Sequence, residues 1–539
     1  MKHSIVSIGL LFAQTTLGVF AAPPVPQAND EAAPAPAKKM NVLFIAVDDL
    51  RPELGCYGKS YIKSPNIDGI AKNGMVFDHA YCQQSLCSPS RTSLMTGTRP
   101  DTCKVWDLDT SFRRALPDVV TLGQQFKAHG YFVQGMGKIY HGGRDDQQTW
   151  SVPSQIPVAP TYGLPENQTA SNKKSDDGKN NEGTDPLSYS LPATEGAKKG
   201  ETGNKKKVGE ANSRGPVYEG ADVPDNTFID GKVADLAVRT LGELSQKSQP
   251  FFLAVGFIRP HLPWVAPKKY WDLYDPATLD LAPNPQLPKL APRYALNPKD
   301  SEIRKYKGIP ASGPVPPELA RKFKQAYFAG VSYTDAQIGR VLAELDRLHL
   351  RENTIIILWG DHGWQLGEHA CWGKHTNVEN DVNAPLIISV PKMAHPGTHC
   401  PALVEFVDIY PSLCELTGLP LPPHLEGSSF KPLLEDGSRP WKSAAFSQYP
   451  RKDNLMGYTM RTKRYRFTIW VDKRNHDKVD AIELYDHKTD PQENSNIAGL
   501  PDQAQVVSRL MEQWKKGWQG AKPPPVEATA DTSKLTPKN

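Results

Sequence analysis

The chain carries little net charge. Its 63 basic and 59 acidic residues leave a formal charge of +4 across 539 residues. So small an imbalance gives no support for nucleic-acid binding and only slight support for an anionic ligand. Long apolar runs are missing beyond the N-terminus, and no later segment approaches the length of a membrane span, so stable membrane insertion is not expected. Cysteine is scarce, with seven in all, and no Cys-x-x-Cys spacing suggests zinc. An exported protein could pair the cysteines, with a connectivity that spacing alone leaves open. Proline is plentiful, at 49, which predicts an irregular surface over a regular frame. The length exceeds one small core and predicts two domains, or one large α/β domain with an appendage.

Residues 1–21 have the form of a secretory signal. Lys2 and His3 precede a mainly apolar stretch, and Val19-Phe20-Ala21 fits a cleavage site. Gln14, Thr15 and Thr16 interrupt that stretch, which favours cleavage over a membrane anchor. Residues 22–39, rich in Pro and Ala, predict a disordered linker. Short apolar runs then recur at Asn41–Val47, Phe251–Phe257, Thr354–Leu358 and Leu386–Val390. They are separated by helical patterns, the clearest over Pro317–Leu348. Strands alternating with helices predict a mostly parallel sheet covered on both faces, whose ligands sit beyond the carboxyl ends of the strands. These elements predict a catalytic domain over residues 40–435. Within it, 166–210 is polar and reads as a flexible insertion holding the sequon Asn167-Gln168-Thr169 and a solvated lysine run, Lys205–Lys207. Residues 436–520 predict a smaller antiparallel sheet with a helix over Asp502–Trp518, and 521–539 a disordered tail.

Chemistry concentrates at the strand ends. Asp48-Asp49 closes the first run, and Asp361-His362 follows the third. Three carboxylates converging there predict one hard divalent cation with oxygen ligands, calcium before magnesium. Taken alone, Asp-Asp also suits a cap and Asp-His-Gly a turn. Residues 87–99 read CSPSRTSLMTGTR, where Pro89-Ser90 also suits a helix start. Arg91, Lys138, His141, His261 and Lys374 supply fixed cations or proton donors. Trp106-Asp107 fits either a sugar-stacking element or a core tryptophan. Arg451 fits either a carboxylate contact or a tie between domains.

The pattern Cys-x-Pro-Ser-Arg at Cys87–Arg91, followed by Leu94 and Thr96-Gly97, resembles the signature of the type I sulfatases. The likeness spans roughly 41–510. It rests on NVLFIAVDDLRPELGCYG (41–58), SPNIDGIA (64–71), CSPSRTSLMTGTRPDT (87–102), GKIYH (137–141), PFFLAVGFIRPHLP (250–263), GDHGWQLGEH (360–369), SQYPR (447–451) and MGYTMRT (456–462). The segments RPELGCYG, RPDT and SQYPR point to the iduronate-2-sulfatase branch. The resemblance implies an alkaline-phosphatase-like sheet sandwiched by helices, with a smaller C-terminal antiparallel subdomain. It implies a sulfuric ester hydrolase in which another enzyme, of the formylglycine-generating or anaerobic sulfatase-maturating kind, oxidises Cys87 to formylglycine. By position it implies one Ca2+ held by Asp48, Asp49, modified Cys87, Asp361 and His362. Arg91, Lys138, His141, His261 and Lys374 take sulfate-binding and proton-transfer roles, with His261 and Lys374 facing the leaving oxygen. The implied partner is a sulfated saccharide, and the implied location is secreted or periplasmic, or lysosomal in an animal. A phosphomonoester or phosphonate hydrolase of the wider superfamily is the competing enzyme class. Cys87 in place of Ser or Thr speaks against it, and the intact Cys87, Arg91 and Lys138 speak against a non-catalytic carbohydrate binder.

Overall fold

The computed structural model describes residues 39–172 and 214–524. The expected signal, nearly all of the linker, most of the insertion with Lys205–Lys207, and most of the tail lie outside these residues. A seven-stranded sheet organises the larger part of the molecule. Its strands are β1 (Asn41–Val47), β2 (Met75–Tyr81), β3 (Phe132–Gly137), β4 (Phe251–Phe257), β5 (Thr354–Gly360), β6 (Leu386–Ser389) and β7 (Thr398–Glu405). Their order across the sheet is β7-β2-β6-β5-β1-β4-β3. β1 lies at the centre, parallel to both β4 and β5. All seven of its residues are buried, as a run of Val, Leu, Ile and Phe requires when both faces are covered. Leu43, Ile45 and Val47 enter one hydrophobic core, while Val42, Phe44 and Ala46 enter the other.

Two long helices cover the first face: α2 (Ile229–Ser245) and α3 (Pro317–Arg347) follow α1 (Cys87–Thr96), which packs on the second face through Leu94 and Met95. The sheet is mostly parallel, as expected. The exception is β6, which runs antiparallel to both β2 and β5. Strands β2, β3 and β7 were not legible in the sequence. Asp78 and His79 break the apolar run of β2, two glycines and Gln134 dilute β3, and Pro401 interrupts β7.

A second, four-stranded antiparallel sheet is formed by β8 (Ala444–Pro450), β9 (Leu455–Thr462), β10 (Tyr465–Asp472) and β11 (Asn475–Asp486). The helix Ala504–Lys515 closes its own small core, where Leu510 packs with Met460, Phe467, Ile469 and Leu484. β8 meets the large sheet directly. Phe446 N donates to Glu405 Oε1 at 2.9 Å, Ser447 Oγ to the Cys82 carbonyl at 2.5 Å, and Gln448 N to the Gln83 carbonyl at 2.8 Å.

Two expectations need correction. The polar insertion begins as a helix, Pro165–Asn172, and Asn167 Nδ2 donates to Glu219 Oε2 at 2.6 Å. Glu219 also accepts from Gly163 N and Leu164 N, which anchors this stretch despite its polar composition. Each of the seven cysteines is a free thiol, so the pairing that the sequence left open is not formed. Among the described residues no helix is long and apolar enough to cross a membrane.

Candidate active site

The site forms where β1 and β5 end side by side. Asp48 N donates to Phe257 O at 3.2 Å and Asp361 N to Val47 O at 3.2 Å, so the ladder runs one residue past the strands and aligns the two acids. Asp49 then adopts φ of 58°, in the left-handed region that residues other than glycine seldom enter. Two contacts hold it there: Asp49 N donates to Asp361 Oδ1 at 3.0 Å, and Tyr327 Oη donates to the Asp49 carbonyl at 2.7 Å. This turn brings the side chains of consecutive residues into one site, where a continuing strand would send them to opposite faces.

Cys87 is the first residue of α1, and all ten residues of that helix are buried. Cys87 Sγ lies 3.3 Å from Asp48 Oδ1, 3.3 Å from His362 Nε2 and 3.6 Å from Lys374 Nζ. One ligand atom each from Asp48, Asp49, Cys87 and His362 falls within 4.8 Å of the others. One turn along α1, Arg91 donates from Nε to Asp361 Oδ2 at 2.8 Å and from Nη2 to Asp48 Oδ1 at 3.3 Å. Its Nη1 donates to the carbonyls of Lys138 and Ile139. Lys138 Nζ donates to Asp48 Oδ2, and Lys374 Nζ donates to Asp49 Oδ1 at 2.7 Å. His261 Nε2 lies 3.8 Å from Asp49 Oδ2. His141 is half-buried near this group, its Nδ1 without a hydrogen-bond partner, and Lys138, Asp48, Arg91 and Lys374 act on it electrostatically.

Burial and charge divide the two neighbouring acids. Burial pushes the Asp48 carboxyl up, but Lys138, His261, Arg91 and Lys374 outweigh it and hold Asp48 well below the usual range. Burial pushes Asp49 well above that range; Lys374 opposes the rise, while Asp48, Glu302 and Asp361 add to it. Its Oδ2 is buried and accepts no hydrogen bond. Burial drives the His362 imidazole down to about 4, so the ring is neutral at pH 7. With Nδ1 donating to Gly363 O at 3.0 Å, the lone pair on Nε2 faces Cys87 and the carboxylates. His261 is likewise driven down by burial, and its Nδ1 donates to Leu262 O at 2.7 Å. His141 falls to about 3 through burial and then Lys138. For the Cys87 thiol, burial and then Asp48 raise the pKa well above that of an ordinary cysteine, so it stays protonated.

Asp48, Asp49, Cys87, Arg91, Lys138, His261, Asp361, His362 and Lys374 therefore belong to one buried network, while His141 stands half-buried at its edge. One member went unforeseen. Glu302 approaches Lys374 Nζ to 3.5 Å and His261 Nε2 to 3.8 Å. It sits in the polar stretch Asn297–Lys307, where nothing marks it out from neighbouring charges. Arg451 resolves in favour of the tie. Its guanidinium donates to the carbonyls of Tyr294 at 2.6 Å, Ala295 at 2.6 Å and His375 at 2.9 Å, which leaves no free fork for a ligand carboxylate. Trp106 is not a core residue: it is half-buried, and its Nε1 donates to Asp101 Oδ1 at 3.0 Å. Glu379, His487 and Glu493 form a second acidic group, but Arg461 and Arg466 already pair with its carboxylates.

The large, mostly parallel sheet with its small antiparallel sheet is an alkaline-phosphatase-like fold, and the buried cysteine, acids and cations lie at the ends of its strands. The chain belongs to the sulfatase family, whose model matches residues 40–419, and is a sulfuric ester hydrolase. A model of the N-sulphoglucosamine sulphohydrolase C-terminal region matches 367–519. The chain is 34% identical to iduronate 2-sulfatase of Mus musculus, over 85% of this chain and 90% of that protein. It is also 34% identical to iduronate 2-sulfatase of Homo sapiens, over 85% of this chain and 91% of that one. In fold it is similar to the phosphonate monoester hydrolase of Agrobacterium radiobacter, with a TM-score of 0.68 and 22% identity, covering 89% of this chain and 95% of that one.

Proposed function

We propose that the protein removes the 2-O-sulfate of an iduronate or related uronate in glycosaminoglycan fragments, using formylglycine at position 87. The observation that carries the chemistry is the setting of Cys87. As a thiol it is buried and protonated, hence a poor nucleophile, yet it stands among groups suited to a sulfuryl anion. Oxidation to the aldehyde and hydration would replace the thiol by a geminal diol. One hydroxyl attacks sulfur, the S–O bond to the sugar breaks, and the sugar oxygen takes a proton. The second hydroxyl then loses its proton, the C–O bond to sulfate breaks, and sulfate leaves as the aldehyde re-forms. Water restores the diol. Elimination replaces a second attack on sulfur.

The residues fit a hard divalent cation of the calcium type. The support is the buried Asp49 Oδ2 without a donor, the lone pair of His362 Nε2 and the convergence of Asp48, Asp49, residue 87 and His362, with Asp361 Oδ2 3.5 Å from His362 Nε2. Asp48, Asp49, Asp361, His362 and the modified residue 87 would hold it. When bound, it supplies positive charge that polarises the sulfuryl group. Lys138 and Arg91 hold Asp48 in its charged state and in place. His141 supports the diol. Lys374, whose burial is outweighed by Asp49, Cys87 and Glu302, stays charged and can donate a proton to the leaving oxygen beside His261.

The uronate assignment rests on the two iduronate 2-sulfatases, each aligned over most of its length. We further read the chain as exported and as a substrate of a formylglycine-generating or anaerobic maturating enzyme. The domain limits remain as proposed, 40–435 and 436–520. The deciding experiment measures inorganic sulfate released from 2-sulfated uronate disaccharides, 6-sulfated glucosamine and aryl sulfates. Preference for the uronate supports the reading. Turnover of the others with none on the uronate removes it and leaves the sulfatase standing.

A further inference from the structure

We infer that Glu302 is a positioning residue that holds Lys374, beside His261, toward the leaving oxygen. The inference rests on the sulfatase chemistry above. Two carboxylates bracket the two basic side chains. Lys374 Nζ lies 2.7 Å from Asp49 Oδ1 and 3.5 Å from Glu302 Oε2. His261 Nε2 lies 3.8 Å from Asp49 Oδ2 and 3.8 Å from Glu302 Oε1. Each oxygen of Glu302 thus faces a different partner, opposite the matching oxygen of Asp49. Without Glu302, Asp49 becomes the sole carboxylate on Lys374 and draws the ammonium inward, away from the sugar oxygen.

The carboxylate is presented by a braced loop. Glu302 opens a short 3-10 turn, Glu302–Lys305. Arg304 in that turn donates to the carbonyls of Pro298 at 2.9 Å, Pro310 at 2.6 Å and Gly313 at 2.6 Å. Ser301 Oγ accepts from Trp372 N at 3.2 Å, which ties the loop to the segment bearing Lys374. His261 cannot swing freely, because its Nδ1 is engaged by Leu262 O. Glu302 Oε2 is buried and accepts no hydrogen bond within the protein, so the ion pair with Lys374 is what occupies it. On its braced loop this carboxylate gives the Lys374 ammonium a second anionic partner opposite Asp49, and so sets where the ammonium rests.

The test uses the leaving group. Sulfates of acidic phenols depart with little need of a proton, whereas sulfates of sugars and weakly acidic phenols need one. Glu302→Gln is compared with the unaltered protein on a series of aryl sulfates of graded phenol acidity, together with a sugar sulfate. We expect kcat/KM on the sugar sulfate to fall about a hundredfold, with about tenfold less loss on 4-nitrophenyl sulfate, so that the dependence on leaving-group acidity steepens. Glu302→Asp keeps the charge but retracts it, and its slope should lie between the two. Metal content and melting temperature are measured on all three proteins. Parallel loss on every substrate, with an unchanged slope, overturns the inference and makes Glu302 structural. If the unaltered protein releases no sulfate from any ester, the functional reading fails first and separately.

Discussion

Arg91 Nε lies 2.8 Å from Asp361 Oδ2, and neither side chain is exposed. This pair joins the helix that begins with Cys87 to the strand end that carries Asp361. Arg91 also reaches Asp48, so one guanidinium neutralises acids from two strands. Removing one partner of a buried pair leaves uncompensated charge, which costs about 3–5 kcal/mol. Arg91→Ala should therefore lose stability on that scale in urea or guanidinium denaturation as well as activity. A melting curve equal to that of the unaltered protein would contradict the pairing.

Cys87 in active protein should be formylglycine. Mass spectrometry of the peptide containing Cys87 checks this, and a fully active sample with only the unmodified thiol would refute it. Cys87→Ser should fold, since the volume barely changes, and should lose nearly all turnover because serine cannot form a geminal diol.

Elemental analysis should find one calcium per chain, lost together with activity on chelation and restored on its return. Asp361→Asn should weaken the metal while the melting temperature in chelator stays close to that of the unaltered protein in chelator. Two zinc ions per chain would instead favour phosphatase-like chemistry.

Arg451→Ala should lower kcat/KM on uronate and aryl sulfates alike, because the guanidinium braces the backbone of Tyr294, Ala295 and His375. A rise in KM confined to uronates would return Arg451 to substrate recognition.

Asp381 gives a pH dependence of stability that is separate from catalysis. Burial raises its carboxyl to about 7, against hydrogen bonds from Thr376 and Gln365 that lower it. Because the folded value lies above the unfolded one, the stability it contributes is full below about 4 and is lost as pH rises through 7. Asp381→Asn keeps the shape and removes the titration. Denaturant midpoints between pH 4 and pH 8 should fall in the unaltered protein by more than in this variant. Equal slopes would refute the assignment.

The legible parts of the chain were those where one constraint dominated. β1 and β4 are buried on both faces, so their unbroken apolar runs announced them with correct limits. The long helix α3 repeats one apolar face through Phe323, Tyr327, Val331 and Ile338. Asp48, Asp49, His261, Asp361 and His362 were visible because they follow such runs, whereas Cys87, Arg91, Lys138, His141 and Lys374 were visible through motifs that resemble those of the type I sulfatases. Glu302 was hidden because its importance arises from a loop brought in by Arg304 and Ser301. Arg451 could be read two ways because sequence shows a side chain and not which carbonyls it meets. The free thiols were equally hidden, since spacing says nothing about which sulfurs approach.

The docking of β8 joins parts of the chain that are made at very different times. Ser447 and Gln448 bind the carbonyls of Cys82 and Gln83, just ahead of Cys87, and Arg451 fastens the backbone beside Lys374. These fasteners lie near the end of the chain, so a ribosome makes them long after it makes Cys87. Until they arrive, the segment before the cysteine lacks its final clasp. In the folded chain Cys87 is only 2% exposed, out of reach of another protein's active site. On the proposed chemistry, an enzyme that oxidises Cys87 would have to reach it before the fold closes.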